Sequence, residues 1–191
     1  HYGANRKLKI VWLMATSNVI WAAPDITRAE NHNIHIMQDR DLRYFEEIAK
    51  NVGPAARYQF LAEFFRDQQI ASLSNYRVPA IRTKLGGTRA YFFVAPPSRL
   101  IPVAFVNHLV LRDPEGAPSY QRVLKRSRLK EIGKYLDAGG YFPNSITVNF
   151  QKTPRFEQSY SMEDRQIAFG DLYLPDRFKS VWVIDGQHRL Y

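Results

Sequence analysis

The chain of 191 residues contains no cysteine. That excludes disulfides, thiolate nucleophiles and cysteine-ligated zinc, and it suits a cytoplasmic protein. No apolar run approaches the roughly 18 residues a membrane span requires, and no secretory leader is read, so the expectation is a protein without a membrane partner. Acidic residues are in short supply. Eighteen Asp and Glu stand against 27 Lys and Arg, a formal charge of +9, and such an excess favours a polyanion such as DNA as partner. Histidine is scarce as well, with five in all. His32 and His35 have no third ligand in register, and they are read as exposed strand residues with no metal assigned. Repeats and low-complexity tracts are absent. The chain opens without Met and stops just after its most distinctive motif, so it reads as a piece of a longer protein, incomplete at both ends.

What is present is globular: 45% of the residues are hydrophobic, enough for one large or two small domains. The last stretch organises the rest. The run Val181-Trp182-Val183-Ile184 stops at Asp185-Gly186, as a buried strand entering a tight turn would, and Gln187, His188 and Arg189 then open a helix. A glycine turn, a helix N-terminus and an Arg fork together suit an anion such as a phosphate. An Asp-capped D-G turn followed by an ordinary Arg accounts for the same residues equally well. On the phosphate reading Arg189 is an exposed residue whose loss leaves the fold intact.

Upstream, Ile10 to Ala15 reads as a central strand and Asn31 to Gln38 as a second strand. Asp41 is expected to cap a helix carrying Leu42, Phe45, Ile48 and Ala49, which Gly53-Pro54 ends. A second helix follows, with Leu61, Phe64 and Phe65 inward and Arg57 and Arg66 outward. Tyr76–Lys84 and Arg89–Ala95 flank Gly86-Gly87 as a hairpin. After Pro96-Pro97 comes an apolar run to Leu111 that includes Asn107 and His108, and Asp113 to Gly116 forms a turn. A basic helix then carries six cations between Arg122 and Lys134 against Glu131 alone. Val123 or Leu124, Leu129, Ile132 and Leu136 mark its inner side, and Gly139-Gly140 ends it. Lys125, Arg126 and Lys130 are the cations expected along DNA. Beyond it, Ile146–Phe150 is a strand, and the polar segment from Gln151 to Pro175 is an excursion ending in a short strand at Asp171.

The hexapeptide Ile184-Asp185-Gly186-Gln187-His188-Arg189 resembles the signature of the DGQHR-domain family, which includes the DndB proteins of DNA sulfur modification. It also looks like the glycine motifs of ParB proteins (G-E-R-R) and sulfiredoxins (G-C-H-R). Sulfiredoxin chemistry needs a thiol where this chain has Gln187. Tyr120-Gln121-Arg122 and Gly140-Tyr141-Phe142-Pro143-Asn144 look like further DGQHR elements, and the resemblance covers residues 98 to 191. Residues 7 to 68 look like the end of a restriction-endonuclease-like domain, but without that class's Glu-x-Lys element. The implied architecture is α/β (α+β), a mixed sheet with packed helices and a ParB/sulfiredoxin-like C-terminal part. Its two parts are residues 1–72 and 73–191. The resemblance further implies a nucleoside triphosphate, with or without Mg2+, held by Asp185, Gly186, Gln187, His188 and Arg189 and closed over by Tyr120, Gln121, Arg122 and Arg128. DNA and other proteins of a bacterial or archaeal modification or phage-defence system are the implied partners. Two alternatives stay open: an NTPase or nuclease using Asp185 or His188 as base, and a non-catalytic scaffold.

Overall fold

The computed structural model describes residues 9–106, 125–161 and 166–191. It is a mixed α/β structure with three sheets. The first is a parallel pair, β1 (Trp12–Ala15) and β2 (Ile34–Met37), joined by helix α1 (Ala23–Asn31). The expected order of strand, strand, helix, helix is thus corrected by one helix. α1 has Pro24 at its start and Asp25 in its first turn, but it buries no residue, so its sequence carries no core stripe to read. The expected central strand is corrected as well. Among the described residues β1 pairs only with β2, and Trp12, Leu13 and Met14 are exposed.

Helix α2 (Asp39–Val52) begins two residues before Asp41. Asp41 acts from inside the first turn, where its carboxylate accepts the Gln38 N–H at 3.2 Å. Gly53, at φ 59°, ends the helix, and a turn of 3₁₀ helix (Gly53–Ala55) leads into α3 (Ala56–Phe64). Phe45, Phe60 and Phe64 meet edge to face, and His35 extends the row against Phe64 at 5.4 Å.

The second sheet is antiparallel in the order β4-β3-β8-β7, from β3 (Arg77–Leu85), β4 (Thr88–Phe93), β7 (Phe156–Ser161) and β8 (Ala168–Tyr173). Gly86 and Gly87, at φ 54° and 82°, form the expected hairpin turn between β3 and β4. The segment read as a polar excursion is a second hairpin completing this sheet, held by Phe156, Ala168 and Leu172 on its inner face. In the third sheet β9 (Val181–Asp185) lies between β5 (Ala104–Phe105), parallel to it, and β6 (Thr147–Phe150), antiparallel. A single turn of helix, α4 (Pro97–Leu100), precedes β5. Val78, Ala80, Leu100, Ala104, Val106, Leu172, Leu174, Val183 and Leu190 form one core between these two sheets. β9 is therefore clamped on both edges and buried at Val181 and Val183, which fixes the position of the residues that follow it.

Residues 51–70 reach the rest of the fold through specific contacts. The buried Gln59 amide donates to the Ala104 carbonyl at 3.1 Å and to the Tyr191 hydroxyl. The Ile70 N–H donates to the Asp176 carbonyl at 2.6 Å, and Lys179 pairs with Glu63 at 3.3 Å.

Candidate functional site

The motif sits where the sequence puts it, at the end of β9, but its polar groups close on one another. Asp185 ends the strand, Gly186 turns the chain at φ 86°, and Gln187–Leu190 makes one helical turn, α6. Only glycine adopts that φ without strain. The room left by its missing side chain is already used. A Cβ at Gly186 would lie 2.9 Å from Arg189 Nη2 and 3.1 Å from Ile146 Cγ1. Arg189 Nη1 donates to the Asn144 carbonyl at 2.6 Å, and Nη2 donates to Asp185 Oδ2 at 3.1 Å. The reading of Arg189 as an exposed side chain is therefore corrected: it is only 16% exposed, while Asp185 beside it is 75% exposed. The arginine works as a clamp, tying the turn after β9 to the loop that enters β6.

Gln187 and Leu190 are buried beneath this turn. Tyr191 has a buried hydroxyl, and that burial pushes its phenol well above its ordinary pKa; the Gln59 hydrogen bond acts in the opposite direction.

His188 faces the basic helix, α5 (Arg126–Asp137). Its Nε2 accepts the Lys125 N–H at 3.4 Å, while Asn51 Oδ1 at the end of α2 accepts the Arg126 N–H at 3.2 Å. Two of the unpaired donors at the start of α5 are thus met from other elements, so α2, α5 and α6 converge there. At 100° per residue Arg126, Lys130 and Lys134 lie on one stripe, and Arg128 projects from a different side. Lys125, Arg126, Arg128, Lys130 and Lys134 are all exposed, and among the described residues none has an acidic partner within ion-pair distance. The expected inner side of the helix is only partly covered: Leu129 and Ile132 are half-buried, and Leu136 is 45% exposed. Gly139, at φ 84°, ends the helix as expected.

The structure therefore brings Asp185, Gly186, Gln187, His188 and Arg189 together with Lys125 and Arg126. Tyr120, Gln121 and Arg122 lie outside the described residues, as do Asn107, His108, the turn at 113–116, Val123 and Leu124. Asn144, Ile146, Asn51 and Gln59 complete the neighbourhood; Asn144 was read only as part of a family element and Ile146 only as the start of a strand, while Asn51 and Gln59 went unrecognised. Asn144 contributes a backbone carbonyl, which leaves no mark on residue type. A surface cavity of about 580 Å3, lined by Asp39, Arg40, Arg43, Tyr44 and Glu47, was also missed. Its signal was present as charged residues at helical spacing on the polar face of α2, where only the apolar stripe was read.

Among known families, the model described as DndB, DNA-sulfur modification-associated, matches residues 78–191, from β3 through the motif to Tyr191. No curated protein and no solved structure matches the chain.

Proposed function

The chain belongs to the DndB family of DNA-sulfur modification-associated proteins, and on that premise we propose that it is a DNA-binding regulator whose α5 lies along DNA phosphates while the motif at β9 holds and adjusts that helix. The observation that carries this reading is the stripe of Arg126, Lys130 and Lys134, without an acidic partner among the described residues, on a helix whose first N–H groups are held by His188 and Asn51. From Arg126 to Lys134 the stripe runs about 12 Å, which suits two or three phosphates of one backbone.

The motif also supports nucleotide binding. Asp185 is the exposed member of its ion pair with Arg189, so an incoming triphosphate can take its place on Nη2, in a neighbourhood already made basic by Lys125 and Arg126. Such charge-assisted bonds to an Arg fork are the strong ones. The released Asp185 carboxylate is of the hard-oxygen type Mg2+ accepts. Movement of the turn would reach α5 through His188 and the Lys125 N–H, which makes DNA binding responsive to nucleotide.

The test is fluorescence anisotropy with duplex DNA over a salt series. Replacing Arg126, Lys130 and Lys134 with Ala should weaken binding to unrelated sequences alike, and make the salt slope less steep by about 0.9 for each phosphate that is no longer neutralised. Unchanged affinity and slope in a folded variant would refute the DNA reading. Calorimetric titration with each nucleoside triphosphate, with phosphate release assayed in parallel, separates a nucleotide-responsive regulator (binding alone) from an NTPase (release) and from a scaffold (neither).

A further inference from the structure

An antiparallel sheet with one face on the core ordinarily turns polar residues to water on the other. The four-stranded sheet departs from that. Its inner face packs Val78, Ala80 and Leu172 into the core. On the outer face the register aligns Phe92 with Ile81, Ile81 with Phe169, and Phe169 with Tyr160. These four side chains form one apolar row across all four strands, with exposures of 55%, 38%, 39% and 64%. Val94, beyond the end of β4, adds a side chain that is 89% exposed. A contiguous row of this kind marks an interaction surface, unlike scattered exposed apolar residues.

The charges beside the row indicate the occupant. Along the same face Arg77 pairs with Asp171 at 3.1 Å, Arg155 pairs with Glu157, and the Tyr173 hydroxyl donates to Glu157 Oε2 at 2.8 Å. Among the described residues these cations are neutralised in place, so they do not make the face a phosphate-binding surface. In a chain of charge +9, it is a face that a second copy can approach without repulsion. The row is also self-complementary. A twofold axis parallel to the strands, between Ile81 and Phe169, sets Ile81 over the second copy's Phe169 and Phe92 over its Tyr160, as an isologous interface requires.

We propose that the outer face of the β4-β3-β8-β7 sheet is a homodimer interface, with two copies packed sheet on sheet. Four strands of about six residues cover about 400 Å2 in projection. That is below the roughly 800 Å2 per partner of a standard interface, so the dimer is weak and reversible.

Sedimentation equilibrium over a concentration series, at salt near 0.15 M to screen the net charge, tests it. The wild-type chain should pass from monomer to dimer as concentration rises. Phe92→Lys with Tyr160→Lys, at the exposed ends of the row, should abolish the dimer and leave the thermal melt unchanged. Ile81→Lys with Phe169→Lys is an independent second variant at its centre. A wild type that is monomeric throughout, or a dimer that survives both pairs of substitutions, overturns the proposal. A monomer that instead loses single-stranded oligonucleotide binding on these substitutions assigns the face to nucleic acid, which overturns it too.

Discussion

Arg189→Ala separates a clamp from a surface residue by stability alone. In the native structure Nη1 is bonded to the Asn144 carbonyl at 2.6 Å, and Nη2 to Asp185 at 3.1 Å. The first is a hydrogen bond from a charged group in a side chain only 16% exposed, a class contributing about 1.5–3 kcal/mol. The second faces a carboxylate that is 75% exposed, and solvent screening reduces it to about 0–1 kcal/mol. Removing the side chain also empties the space against Gly186 and Ile146. The loss should total about 2–3 kcal/mol, and for a chain of this size that lowers the melting temperature by about 5–10 °C. Asp185→Asn removes only the screened pair and should shift the melt by no more than about 3 °C. Circular dichroism melts without ligand read both variants. If Arg189→Ala melts within about 1 °C of wild type, the clamp assignment fails, and the arginine is the free ligand-binding residue that the sequence suggested. A large loss in both variants would instead place the stability in Asp185.

Gly170→Ala should destabilise the fold by at least about 2 kcal/mol, because the new Cβ would lie 2.1 Å from the Glu157 carbonyl of the adjacent strand and the backbone must part to admit it; a melt unchanged from wild type would show that β7 yields freely. Asp39 ties the turn after β1 to α2 by accepting from the Ser17 hydroxyl and the Asn18 N–H, both at 2.7 Å, and these bonds hold its carboxyl below its ordinary value of 3.8. A depressed carboxylate contributes stability that is fully present above 3.8 and is lost as pH falls through the lower folded value. Asp39→Asn should therefore destabilise at neutral pH and weaken the acid dependence of melts taken from pH 6 to pH 2, whereas a parallel pair of curves would refute the tether.

Local rules reached a large share of this fold. Gly86-Gly87 between two β-rich segments specifies a hairpin because both glycines adopt positive φ. Val181 to Ile184 is apolar on both faces, which suits a strand clamped between two others. The basic helix ends at Gly139 for the reason glycine ends helices generally. The motif, too, was legible as a strand, a glycine turn and a polar cluster. Helix α1 was not, since it rests almost nothing on the core and leaves no stripe. The β7-β8 hairpin was legible only in part, as a short strand at Asp171, because the register shift between Gln158 and Tyr160 breaks the alternation of β7.

Residue types alone specify what the site is made of: a glycine that must turn, an arginine that must find oxygen partners, and a helix crowded with like charge. Packing in three dimensions sets where those needs are met. Arg189 finds the Asn144 carbonyl because the β6-β9 pairing brings that loop alongside, and a backbone oxygen has no residue letter. His188 and Asn51 meet the opening N–H groups of α5 because α2 and α6 pack beside it. The stripe of cations on α5 is left exposed for the complementary reason: among the described residues, the neighbours this packing gives it bring no carboxylate within ion-pair distance.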